Sequence, residues 1–272
     1  MVSRLKYSIK RYGLINFFKR LLHKLNLDLK LLDPIQKKRL FLSKEIEKIS
    51  KGTVLSGEYK GTKFINSSDY FLAKSSQLLG TYELEVQAQL INIISKNNLR
   101  YFINLGAGEG FHSVGVMNKK KLEKCISFEM DLKNVKNIER NFILNKIQNF
   151  EIFSKADIDF LDKIINYTDF DKSIFLFDIE GEEFKILNEN NLKILSKSFL
   201  IIEIHHFYFN AQELKKFILK LEDIFNIRYI TTSDRNNSNI NEISKFNDDE
   251  KWLMMSESRP ETMKWIVCEP KF

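Results

Sequence analysis

An α/β fold with a doubly wound sheet is predicted for this chain, on three observations. A short apolar run at 101–105 breaks into glycines at alternate positions, Gly106, Gly108 and Gly110, and a helix-like stretch at 111–117 follows. Strand, glycine turn and helix form the first unit of such a sheet, whose ligands sit outside the carboxyl ends of the strands. Beyond that unit, strand-like and helix-like stretches alternate. Acidic residues stand where several of these strands should end, at Glu129, Asp178 and Glu203.

The elements follow in order. Residues 1–50 read as one or two helices: Leu14, Phe18, Leu21, Leu22 and Leu25 form a helical stripe, and Pro34 is expected to separate it from a helix at 35–50. Residues 51–82, with Gly52, Gly57, Gly61 and Gly80, read as a hairpin or irregular cap. The main domain, 83–272, opens with a helix at 83–95 that should pack beside the first strand. After the glycine turn come strands at 125–128, 150–153, 173–177 and 199–204, with helices at 132–144, 158–165, 182–187, 192–195 and 211–225 between and after them. Strands at 228–232 and 265–268 complete the sheet, and the polar segment 233–263 lies between them. A connection that long inside a compact domain is usually functional or mobile.

Composition bounds the reading. The 272 residues are 43% hydrophobic and 12% aromatic, as in a globular protein able to bury a core. No apolar run approaches the ~20 residues of a membrane span. Two cysteines, Cys125 and Cys268, both inside apolar runs, give neither a disulfide framework nor zinc spacing, so a reducing, cytoplasmic location is expected. The basic start lacks an apolar core and a small-residue cleavage site, so no secretory signal is expected. The net charge of +7 is uneven: residues 1–50 hold 13 Lys+Arg against 4 Asp+Glu, leaving the rest at −2. That basic segment is a candidate for peripheral contact with anionic lipid at the inner face of the membrane. The competing reading is a helix packed on its own domain or on a second subunit, which would make a homo-oligomer.

The chemistry-bearing residues cluster at strand ends. Gly106 and Gly108 let the backbone turn tightly and let a ligand approach the main chain. A dinucleotide fingerprint would place a glycine at position 111, which is Phe111; here the spacing is G-x-G-x-G. Glu129 follows Gly110 by 19 residues and can accept two hydrogen bonds from a ribose diol. Asp157 sits where an adenine amino group could be met, or it caps a helix. Asp178 and Glu180 end the fourth strand, and Glu203 and His205, two residues apart, share a face at the end of the fifth. Three carboxylates and an imidazole would then converge in the crevice, a concentration of charge costly for a purely structural purpose. It suits a cationic ligand and an acceptor that must lose a proton. Asp178, Glu180, Glu203 and His205 could also ligate a hard divalent ion. Base and electrostatic roles explain them equally well, so no metal is assigned.

The spacing G-x-G-x-G resembles motif I of the class I S-adenosylmethionine (SAM) methyltransferases. The ordered set Asn104-Leu-Gly-Ala-Gly-Glu-Gly110, Phe128-Glu129, Asn141 and Asn145, and Asp178-Ile-Glu-Gly-Glu-Glu183, followed by an apolar strand ending E-x-H, resembles the FkbM-type SAM-dependent methyltransferases. The match runs over about 79–207; Leu79-Gly-Thr-Tyr-Glu83 and Glu257-Ser-Arg-Pro260 with Trp265 also resemble segments of related bacterial enzymes. The resemblance implies a Rossmann-like, seven-stranded sheet whose last strand is antiparallel. It implies SAM as cofactor, with Asn104 and Gly106, Ala107, Gly108 and Gly110 on the methionine side. Glu129, with Met130 beside it, would meet the ribose, Ala156 and Asp157 the adenine, and Asp178 the sulfonium. Asn104 departs from the carboxylate that many class I enzymes carry at that position.

The expected reaction is methyl transfer to a nucleophile, foremost the hydroxyl of a small molecule or of a sugar or glycan, as in surface glycan synthesis. Asp178 or His205 is the candidate base, with Glu203 beside them. A nucleic-acid methyltransferase is the alternative, disfavoured because the α/β domain is slightly acidic and lacks the D/N-P-P-Y/F tetrapeptide. A NAD-dependent oxidoreductase is disfavoured by Phe111, and an inactive cofactor-binding scaffold by the retained strand-end carboxylates.

Overall fold

The computed structural model describes residues 33–65, 73–205, 210–236, 240–259 and 261–271; the apolar stripe at 14–25 and Pro260 lie outside them. The expected sheet is present, with seven strands: β1 Tyr101–Leu105, β2 Lys124–Phe128, β3 Phe150–Phe153, β4 Ser173–Phe177, β5 Phe199–Glu203, β6 Phe225–Thr231 and β7 Lys264–Pro270. Their spatial order is β3-β2-β1-β4-β5-β7-β6. The first five run parallel, and β7 inserts antiparallel between β5 and β6. The strand order reverses between β1 and β4, which opens a crevice at their carboxyl ends.

The apolar runs explain the two faces. β4 is buried along its whole length, and its side chains alternate: Ile174 and Leu176 join one core, Phe175 and Phe177 the other. Helices α3 (Leu84–Asn97), α4 (Phe111–Lys119) and α5 (Leu132–Leu144) cover the first face, through Leu90, Val114 and Phe142 among others. Helices α6 (Phe160–Ile164), α7 (Glu183–Ile186), α8 (Glu189–Ile194) and α9 (Ala211–Ile224) cover the second, through Leu161, Ile186, Leu192 and Leu221.

A third core stands beside the sheet. Asp33 caps α1 (Pro34–Ser50) in a reciprocal pair with Gln36. Pro34 opens that helix as its first residue, where the missing N–H costs nothing. Leu42 and Ile46 of α1 pack with Leu78 and Leu79 of α2 (Lys74–Leu79) and with Met254 and Met255 of α10 (Asp248–Met255). Helix α10 lies within the segment 233–263, read from sequence as a polar connection with no element of its own. Its capping box of Asn247 and Glu250 is local, but the core that buries its Met254 and Met255 draws Leu42, Ile46, Leu78 and Leu79 from the far side of the chain. No helix among the described residues is long and apolar enough to cross a membrane.

Candidate active site

The glycine turn sits against the end of β4. A Cβ on Gly106 would lie 1.8 Å from the Asp178 carbonyl oxygen, so only glycine lets the two strand ends close up. Gly108 has φ +55° and open space where its Cβ would be, so its backbone faces the crevice. The Glu129 carboxylate accepts from Gly108 N at 2.8 Å and from Asp131 N at 2.8 Å. Each oxygen keeps further acceptor capacity for a ligand diol. Asn104 is buried; its Nδ2 donates to Ser113 Oγ at 3.0 Å, and its Oδ1 has no hydrogen-bond partner. An orphaned acceptor at that depth suits a ligand donor.

The rim holds the other expected contacts. Met130 is exposed beyond Glu129, and Ala156 is buried under the neighbouring strand end. Asp157 caps no helix: its Oδ1 pairs with Lys163 Nζ at 2.6 Å. Asn141 and Asn145 tie the cap segment to α5 and the glycine turn. Asn141 Nδ2 donates to Glu109 O at 3.0 Å and its Oδ1 accepts from Ile65 N at 2.8 Å, while Asn145 bonds both backbone groups of Lys63.

At the ends of β4 and β5 the polar groups converge. His205 Nε2 lies 3.5 Å from Asp178 Oδ1, 3.9 Å from Glu203 Oε2 and 4.0 Å from Glu180 Oε2. Its Nδ1 is 3.1 Å from Glu183 Oε1, which also accepts from Ile179 N at 2.9 Å. Glu183 is wholly buried, whereas Glu180 is two-thirds exposed. Burial raises the Asp178 carboxyl, the His205 charge opposes that, and the balance is about 6. Burial and the Asp178 carboxylate push Glu203 well above its ordinary value, against the Arg259 guanidinium 2.6 Å from its Oε1. Burial pulls His205 down, but the Glu183 hydrogen bond and the Asp178 charge outweigh it and lift the imidazole to about 9. His205 is therefore a cation at neutral pH, and Asp178 titrates at about 6.

Two residues of this site lie in stretches the sequence singled out, but their partners were not foreseen. Glu183 closes the D-x-E-G-x-E stretch, but only the fold shows it holding His205. Arg259 bonds Glu203, Glu257 (2.9 Å) and Glu83, and its guanidinium lies 5.7 Å from the ring centres of both Tyr82 and Trp265. From Glu83 the network continues to His112 Nε2 at 2.7 Å and from His112 Nδ1 to Tyr59 Oη at 3.0 Å. Burial pushes His112 down to about 3, so it is neutral: the Tyr59 hydroxyl donates to Nδ1 and Nε2–H donates to Glu83.

No family model and no curated protein matches the chain. Among solved structures it is similar to a precorrin-6y C5,15-methyltransferase from Geobacter metallireducens, at 14% identity, TM-score 0.44, over 69% of this chain and 89% of that one. It is also similar to an O-methyltransferase from Bacillus cereus in complex with SAH, at 10% identity, TM-score 0.45, over 66% and 79%. An rRNA methylase from Streptococcus thermophilus matches at 9% identity, TM-score 0.41, over 68% and 96%.

Proposed function

We propose that the chain is a SAM-dependent methyltransferase acting on a hydroxyl oxygen of a small molecule or of a sugar or glycan. The observation that carries this reading is the meeting of Asp178, Glu203 and His205 directly beside a glycine turn whose Gly108 faces open space. The orphaned Asn104 Oδ1 and the strand-end Glu129 fit the amino-acid and ribose ends of the cofactor. Bound SAM supplies a methyl group on a sulfonium, an electrophile that needs no further activation.

The chain's own residues then position and deprotonate the acceptor. The acceptor hydroxyl would take up the methyl group of the bound cofactor as its S–C bond breaks, leaving S-adenosylhomocysteine, and the hydroxyl proton would pass to Asp178. Asp178 is ionised above about pH 6 and lies beside the turn that holds the methionine end. His205, charged at neutral pH, orients Asp178 and Glu203 rather than serving as base. In-line displacement depends chiefly on positioning, and the buried strand ends supply it.

Calorimetry with S-adenosylhomocysteine should show binding to the wild type and none to Gly108→Val, whose branched side chain would fill the open approach. With an acceptor found by mass spectrometry of products, Asp178→Asn should lower turnover by about 10²–10⁴. Turnover of the wild type should rise through about pH 6 as Asp178 ionises. Tight NAD binding without S-adenosylhomocysteine binding would overturn the assignment.

A further inference from the structure

We propose that Asp178, Glu203 and His205 form a site for a divalent cation of the manganese type. One atom from each, the His205 Nε2 and a carboxylate oxygen of Asp178 and of Glu203, lies within 4.8 Å of the others. From Nε2 the separations to Asp178 Oδ1 and Glu203 Oε2 are 3.5 and 3.9 Å. Ligands about 2.1 Å from one octahedral ion are about 3.0 Å apart when adjacent and about 4.2 Å when opposite. The observed spacings fall inside that range and exceed the ~2.7–3.2 Å of a direct hydrogen bond.

The surroundings orient these ligands as a metal site needs. Glu183 engages His205 at Nδ1, which turns Nε2 toward the two carboxylates, and an ion bound there takes the place of the imidazolium's Nε2 proton. A carboxylate on the far nitrogen of a ligating histidine is the usual outer support of such sites. Arg259 holds Glu203 by Oε1 and leaves Oε2 as the oxygen nearest the imidazole. A second, independent observation is the Glu183 carboxylate. It is wholly buried in contact with the cluster, and its Oε2 has no hydrogen-bond partner. A buried carboxylate oxygen without a donor is costly unless a cation stands near. Glu180 Oε2, 4.0 Å from Nε2, adds a fourth carboxylate at the mouth.

The donor set selects the ion. Two carboxylates favour a hard cation and one imidazole favours a first-row transition metal, and manganese satisfies both. Calcium would want six to eight oxygens, more than this pocket offers. Three protein ligands leave coordination positions for the acceptor, whose hydroxyl the ion would make more acidic. That role rests on the methyltransferase reading; the binding of the ion does not.

The test uses the full chain, stripped with chelator and titrated with Mn²⁺ alone, following the free-ion signal by electron paramagnetic resonance. The wild type should remove about one equivalent. Asp178→Asn and His205→Gln should each weaken binding at least about tenfold, and Glu183→Gln, outside the ligand set, by about 10–100-fold. Retention of the full free-ion signal up to millimolar Mn²⁺ would overturn the site, as would wild-type affinity in Asp178→Asn and His205→Gln. Should a variant not melt cooperatively, proton spectra of the wild type decide: broadening of the His205 imidazole signals supports the site, and sharp signals with Mn²⁺ bound refute it. S-adenosylhomocysteine binding, measured separately in chelator, distinguishes the two failures. Cofactor binding without Mn²⁺ binding sinks only the cation site, and the converse sinks only the methyltransferase reading.

Discussion

His205 and His112 show how neighbours decide the charge of a buried imidazole. Both are buried, and burial alone disfavours the cation. His112 faces Glu83, whose carboxylate is already paired with Arg259, and it stays neutral with its value near 3. His205 faces Glu183, Asp178 and Glu180, and its value rises to about 9. An unfolded histidine titrates near 6.5, so the bound proton stabilises the fold fully below about pH 6.5, and that contribution is lost as pH rises through about 9. Each pKa unit corresponds to ~1.4 kcal/mol, so the loss is on the order of 3 kcal/mol. In chelator, the urea midpoint of the wild type should fall between pH 6.5 and 9, and His205→Gln should flatten that slope. An unchanged slope in the variant would assign the titration to another group.

At the scale of elements, the site is made where strand ends meet loops held under strain. Six described non-glycine residues have positive φ. Lys51 and Asn98 end helices in the usual left-handed cap, and Lys146 follows the end of α5. The other three are Glu83 at 44°, Glu180 at 55° and Ser258 at 57°, and each belongs to or adjoins the charged cluster. Such residues cost about 1–3 kcal/mol each and persist where surrounding structure fixes them. Arg259, next to Ser258, is the tie: it joins the segment before β7 to the end of β5 and to the start of α3. Arg259→Met would leave Glu203 and Glu83 buried without their guanidinium, and unfolding free energy should drop by about 3–5 kcal/mol. Arg259→Lys should recover little of it, because a lysine has no planar fork to reach several carboxylates at once. Near wild-type urea stability in Arg259→Met would show that the network adjusts without it.

Across the whole molecule, a sheet with two covered faces carries a third core at its side. That core joins α1 and α2, near the start of the described residues, to α10, close to the end of the chain. Leu42 is fully buried there, so Leu42→Ala should cost about 2–5 kcal/mol. The variant should still unfold in one transition, followed by both circular dichroism and tryptophan fluorescence, which reports Trp265 in the sheet core and Trp252 on α10. An early separate transition would mark α1 and its partners as an independent unit. The helix at 34–50 is thus packed on its own chain, while the apolar stripe at 14–25 lies outside the described residues.

The sequence by itself determined what local chemistry can specify. Alternating apolar runs set the strands, the glycine spacing set the turn after β1, and the acidic strand ends placed Glu129, Asp178 and Glu203 at one edge of the sheet. Helix Leu132–Leu144 and strands Phe150–Phe153 and Ser173–Phe177 were legible to the residue, because period and flanking caps bound them. Helix α10 was not, since its burial depends largely on Leu42, Ile46, Leu78 and Leu79, far away in sequence. Long-range packing decided which further charges join the convergence of Asp178, Glu180, Glu203 and His205 expected from the sequence. Arg259 reaches Glu203 across 56 residues and Glu183 reaches His205 across 22. The sequence named His205 as a candidate base; its raised value follows from those meetings, because the charge of a buried group is set by neighbours in space and not along the chain.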